Sequence, residues 1–288
     1  MEPVVTVGLD GSPESMAAAH WAADEAERRK VTLRLMHAWP MLAPEPVRAA
    51  SEIDQNYWAK QIVHKAQAEL QARHPGLLII GNLVADDAHD ALLKAASESE
   101  LTVLGSRGLT SAESYFLGSV SMAVVARATR PVVLVRPGPH VEGTSPATGG
   151  VVVALKLHGP CDALIAFAFE AAAARDAPLR VVHGRSLPLH AHTPWGVDHD
   201  VTKEITEDTQ KQLGQVLGPW HEKFPGVEPV DAVRLESPAE AVVRAAEGAD
   251  LLVVGRRKHR PPLAPRLGPV AHAALHHARC PVAVVPHD

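Results

Sequence analysis

Ala91-Leu92-Leu93-Lys94-Ala95-Ala96, followed by Leu101-Thr102-Val103-Leu104-Gly105, decides the fold of this chain. An Ala-rich segment of helical spacing runs into a short, continuous apolar strand that ends on glycine. The pattern returns about 150 positions later as Ala241-Val242-Val243-Arg244-Ala245-Ala246 and Leu251-Leu252-Val253-Val254-Gly255. Arg130-Pro131-Val132-Val133-Leu134-Val135 recurs as Cys280-Pro281-Val282-Ala283-Val284-Val285. Leu33-Arg34-Leu35-Met36-His37 recurs as Leu179-Arg180-Val181-Val182-His183 at a slightly shorter offset. So long an interval is domain duplication rather than a short-period solenoid. Residues 137–150 are rich in Pro, Gly, Ser and Thr and read as a linker, giving domains over 1–137 and 150–288.

In the first copy strands are predicted near 3–9, 31–38, 77–84, 101–105 and 131–136, and helices near 13–29, 48–73, 87–99 and 119–128. Pro13 suits the first turn of a helix, with Ser12 before it as cap. Strands that alternate with long crossovers imply a parallel sheet covered by helices on both faces. Right-handed crossovers then give an α/β fold of two tandem doubly wound five-stranded parallel sheets, each with strand order 3-2-1-4-5. Ligands of such sheets bind at the carboxyl ends of the strands where the winding reverses, here between strands 1 and 4. Asp10 and Gly105 fall at that crevice.

Composition narrows the function classes. A net charge of -5 gives no general attraction to nucleic acid or to an acidic membrane surface. Two cysteines, Cys161 and Cys280, argue against a disulfide-built fold. They fall at opposite ends of the second sheet, too far apart for a disulfide to form. Met1-Glu2-Pro3-Val4-Val5 does not read as a signal peptide. No apolar run approaches the roughly 18 residues that span a bilayer. The expected location is cytoplasmic.

The chemistry concentrates after strand 4. Gly105-Ser106-Arg107-Gly108 is followed, nine residues on, by Gly118-Ser119 opening a helix. Gly105 and Gly108 allow a tight turn and close approach of backbone amides to a polyanion. Gly118 and Ser119 lie where unpaired amides and the positive end of a helix dipole favour phosphate. Asp10 could hold magnesium or a ribose hydroxyl across the crevice.

This spacing, in a repeat opened by Val7-Gly8-Leu9-Asp10-Gly11-Ser12, strongly resembles the universal stress protein family, in its tandem form common in actinobacteria. The resemblance spans both repeats. It implies an adenine nucleotide alpha hydrolase-like fold, ATP as ligand, frequent dimerisation and a part in stress or dormancy regulation. By that match Gly105, Ser106, Arg107, Gly108, Gly118, Ser119 and Val120 surround the phosphates and ribose. Gly8 and Asp10 line the nucleotide, and the backbone near His37 and Ala38 meets adenine. Asp10 is also the candidate magnesium ligand, through Mg-ATP.

The second copy departs at almost every one of these positions. Lys156-Leu157-His158 replaces Asp10-Gly11-Ser12, Lys258 replaces Gly108 and Pro269 replaces Ser119. Proline has neither the N–H nor the hydroxyl. Lys156, Arg256, Arg257, Lys258, His259 and Arg260 gather positive charge there, and could bind another anion or be merely solvated. A degenerate nucleotide site is expected. His272 and His276 share a helix face, but spacing supplies no third metal ligand. Trp39, Tyr57, Trp58, Trp195 and Trp220 are expected to be packing residues.

Three functions compete. The favoured one is an ATP-binding stress-response regulator without strong catalysis. The alternatives are a weak ATPase and a nucleotide-independent scaffold for a partner protein. Phosphoryl transfer needs clustered charge and a positioned nucleophile, whereas Arg107 and Asp10 suffice only for binding and slow hydrolysis. The last strands, Val132 to Arg136 and Val282 to Val285, suggest pairing of the two repeats as a pseudo-dimer, with full chains forming a homodimer. An unknown regulatory protein partner is expected, with no nucleic acid and no membrane.

Overall fold

A computed structural model describes residues 3–39, 49–106, 118–137, 149–157, 159–188, 191–193, 196–259, 261 and 264–288. The chain divides into two compact units, Met1–His140 and Val141–Asp288.

The first unit runs β1 (Val4–Gly8), α1 (Pro13–Arg29), β2 (Thr32–Trp39), α2 (Ala49–Arg73), β3 (Ile79–Ala85), α3 (Ala88–Glu98), β4 (Leu101–Gly105), α4 (Ser119–Arg127) and β5 (Val132–Val135). All pairings are parallel, in the order β3-β2-β1-β4-β5. The apolar runs are buried because helices cover both faces of the sheet: Val5, Val7, Leu33, Leu35, Leu101 and Val103 have no exposure. α1 begins as its sequence directs. The Ser12 hydroxyl accepts the Ser15 amide, Pro13 occupies the first turn, and Lys30 ends the helix in the left-handed region.

One feature of the expected packing differs. Tyr57 and Trp58 are 56% and 66% exposed rather than packed. α2 buries the stripe Ala59, Val63, Ala66 and Leu70; helical geometry leaves Tyr57 and Trp58 beside that stripe. Trp220 does pack, its ring stacked on Phe169 at 6.4 Å, whereas Trp195 lies outside the described residues. A polar cluster also crosses the first unit's core. Arg34 donates to Thr6 Oγ1 (2.9 Å), Ser99 Oγ (3.0 Å) and Glu98 Oε2 (3.2 Å), joining β1, β2 and the end of α3.

The second unit runs β6 (Val151–Ala154), α5 (Asp162–Arg175), β7 (Leu179–Gly184), a short hairpin of β8 (His192–Thr193) and β9 (Gly196–Val197), α6 (His199–Lys223), β10 (Pro229–Arg234), α7 (Pro238–Ala245), β11 (Leu251–Arg257), α8 (Pro269–His277) and β12 (Val282–His287). Its main sheet is parallel in the order β10-β7-β6-β11-β12, the arrangement of the first unit. Cys161 caps α5 and Cys280 precedes β12, and neither is in a disulfide. No helix of the described residues is long and apolar enough to cross a membrane.

Candidate functional site

Parallel strands bring the ends of β1, β2 and β4 to one side of the first sheet, and a chain of contacts joins the sequence-selected residues there. Asp10 follows β1. Its Oδ1 accepts the Ser12 amide at 2.9 Å and also the Ser12 hydroxyl, and its own amide donates to Ser15 Oγ at 3.3 Å. Burial alone would raise the Asp10 carboxyl, but these hydrogen bonds outweigh it and hold the group below the ordinary carboxylate range. Asp10 is therefore an anion already tied to the start of α1. Ser12 and Ser15, which the sequence reading did not select as site residues, fix its direction.

Gly105 sits where α1 meets the end of β4. A Cβ on Gly105 would lie 2.6 Å from the backbone carbon and oxygen of Glu14 and 2.8 Å from the Ser15 amide. The reason for glycine here is thus the close approach of α1, not room for a polyanion. At Gly8 a Cβ would meet only the side-chain ends of Leu104 at 2.7 Å and Leu92 at 3.1 Å, which can shift, so the packing demand for glycine is strict at Gly105 and milder at Gly8.

Gly118 differs. It caps α4 at φ -48, an ordinary value, and a Cβ there would meet only Ser121 Oγ, at 4.0 Å. Nothing within the described residues calls for a missing side chain at Gly118. The first intrahelical amide bond is Met122 to the Gly118 carbonyl (3.1 Å); the amides of Ser119, Val120 and Ser121 precede it and face out of the helix end. Ser121 Oγ donates to the Gly105 carbonyl at 3.1 Å and clamps this helix end onto β4. Ser121 was not selected from sequence, although its place two residues after Ser119 in the same turn was a usable signal. Ser106, directly after β4, is 2% exposed, and its hydroxyl has no hydrogen-bond partner among the described residues. A buried hydroxyl without a partner is costly, so a ligand oxygen at this turn would be stabilised. Arg107 and Gly108 lie outside the described residues.

On the other flank, His37 Nδ1 lies 2.7 Å from the Leu9 carbonyl and supports the turn that carries Asp10. β2 outlasts β1. Pairing with β1 ends at Met36, while His37, Ala38 and Trp39 continue in register with β3. The backbone at His37 and Ala38 therefore borders the mouth of the crevice on its β1 side.

Asp87, His89 and Asp90 place ligand atoms within 4.8 Å of one another at the start of α3. Asp87 is already committed as the cap, accepting the His89 amide at 2.9 Å. His272 and His276 stand with ring centroids 4.3 Å apart on α8, and no third metal ligand joins them among the described residues.

In the second unit the supporting contact recurs, His183 Nδ1 lying 2.9 Å from the Leu155 carbonyl. The end of the fourth strand does not. Where β4 stops at Gly105, β11 continues through Arg256 and Arg257, paired with Pro286 and His287 of a lengthened β12. The Lys258 amide extends the ladder to the His287 carbonyl at 2.7 Å. Lys156 stands at the position of Asp10, and Pro269 opens α8 where Ser119 opens α4. His158 and Arg260 are outside the described residues.

Comparison with known proteins agrees with this duplicated architecture. The universal stress protein family model matches residues 3–136 and again 149–286. A universal stress protein of Mycobacterium tuberculosis is 31% identical over 290 residues, covering 97% of this chain and 96% of that protein. Another from the same organism is 29% identical over 289 residues, covering 97% and 95%. Among solved structures, a universal stress protein from Archaeoglobus fulgidus superposes with a TM-score of 0.74 at 18% identity, covering 99% of this chain and 98% of that one, and shares the fold.

Proposed function

The chain belongs to the universal stress protein family, and we propose that it is an ATP-binding stress-response regulator whose first repeat holds the nucleotide without strong catalysis. The observation that carries this reading is Gly118: an unstrained glycine at the cap of α4 that no described residue crowds, on a helix end held against β4 by Ser121. No described residue would oppose a side chain there, which supports a role for this glycine toward a bound ligand. The first-turn amides of Ser119 and Val120 would hold phosphate oxygens. The Ser106 hydroxyl would find its partner at the same turn. Asp10, anionic and braced by Ser12, would meet a ribose hydroxyl or the magnesium that accompanies ATP. The backbone edge at His37 and Ala38 would border the adenine.

These groups bind and orient. Calorimetric titration of the intact chain with Mg-ATP tests the reading. Binding at about one nucleotide per chain is expected, weakened in Asp10→Ala and Gly118→Val; wild-type affinity in both variants would overturn it.

A further inference from the structure

The second unit carries an open cavity of about 990 Å³ at the carboxyl ends of its strands, at the upper end of the ~300–1,000 Å³ usual for small-molecule sites. Its floor is apolar, formed by Leu155, Leu164, Val182 and Val242. Its wall carries Lys156, Arg185, Arg257 and Arg266, all exposed. None of these four is in an ion pair among the described residues. Asp288, a carboxylate in the lining, is already engaged by His259 Nδ1 at 2.9 Å.

The way this cavity can hold an anion differs from that of the first unit. Lengthened β11 draws the backbone beyond Gly255 into its ladder with β12, and Pro269 removes an amide from the first turn of α8. Backbone recognition of a long phosphate chain is thereby reduced. Guanidinium groups stand in its place, and these bind planar or tetrahedral acid groups in a forked geometry. Lys156 also puts a fixed positive charge at the position where Asp10 could hold a metal, and like charges repel a divalent cation. Among the described residues Gly268 leaves room for the acid group: a Cβ there would meet none of them within 4 Å. Behind it the amides of Val270 and Ala271 precede the first intrahelical bond, from His272 to the Gly268 carbonyl at 2.9 Å.

We propose that this cavity is a second, chemically distinct ligand site that binds an organic anion with an apolar body, taken up without a divalent metal. The acid group, whether carboxylate, phosphate or sulfonate, is held between Arg257, Arg266 and Lys156, and the apolar body rests on the floor of Leu155, Val182 and Val242. The apolar contact supplies affinity through burial, and the arginines set the orientation.

Fluorescence titration of the intact chain with anilinonaphthalene sulfonate, an aromatic body bearing one sulfonate, tests this with EDTA present. Saturable binding is expected. The double variant Arg257→Glu with Arg266→Glu should weaken it about tenfold or more, the loss expected when charge-assisted hydrogen bonds are removed. Lys156→Asp, at an exposed position, should weaken it in the same direction and serves as a second probe should the double variant fold poorly. Mg-ATP at a concentration that saturates the first repeat should leave the dye bound. Undiminished affinity in these variants, displacement of the dye by Mg-ATP, or a requirement for magnesium would each overturn the proposal.

Discussion

The hydroxyl of Ser121 reaches back to the carbonyl of Gly105 at 3.1 Å, so that one hydrogen bond joins the end of β4 to the start of the helix opened by Gly118. The glycines at the two ends of this link carry different burdens. Gly105 is pressed against the backbone of Glu14, while no described residue crowds Gly118.

Stability and ligand affinity should therefore separate at these positions. Gly105→Ala is expected to destabilise the first unit by about 2 kcal/mol, since a Cβ at 2.6 Å from backbone forces α1 to shift. Gly118→Ala should cost less than about 1 kcal/mol of stability and act mainly on nucleotide affinity. Urea denaturation beside calorimetric titration reads both quantities.

Ser121→Ala removes the clamp without adding bulk. A loss of about 1 kcal/mol in stability is expected, with weaker nucleotide binding because the helix end is no longer fixed against β4. Unchanged affinity would show that the first-turn amides hold their position without this bond.

Asp10 makes a pH-dependent contribution. Burial is the largest single influence and raises its carboxyl, but the hydrogen bonds from Ser12, Ser15 and its own backbone together outweigh it and hold the folded group below the ordinary carboxylate value. The resulting stability is fully present above the unfolded value of about 3.9 and is lost as pH falls through the lower folded value. Asp10→Asn should accordingly be less stable than the wild type at neutral pH, and the difference should shrink below about pH 4. Denaturant melts of both proteins across the acid range check the sign.

Arg34 ties Thr6, Ser99 and Glu98 together while itself 14% exposed. Arg34→Ala should destabilise the first unit by about 3 kcal/mol, because removing one partner from a mostly buried polar cluster leaves the others unsatisfied. Mutation of the exposed Trp58 should cost much less, within about 0.5 kcal/mol.

Catalysis gives a further check. A steady-state assay with Mg-ATP is expected to show turnover well below about 1 per second, a value near the low end for enzymes. Faster turnover would replace the regulator by an ATPase.

Much of this molecule was legible as sequence. Local periodicity is written in neighbouring residues, so the strands ending at Gly8 and Gly105, the helix opened by Ser12 and Pro13, and the duplication itself could be read before any coordinates. The substitutions Lys156 and Pro269 were legible too, since each changes a known chemical group at an aligned position. What only the tertiary structure decided is what each such residue faces. Gly105 and Gly118 look alike in sequence; Glu14 crowds one and no described residue crowds the other. The two-residue extension of β11 required Pro286 and His287 to lie alongside Arg256 and Arg257, and the open cavity beside Lys156 required four strands and their helices to be in place. Steric closeness and hydrogen-bond reach depend on residues tens of positions away along the chain, which short-range patterns do not encode.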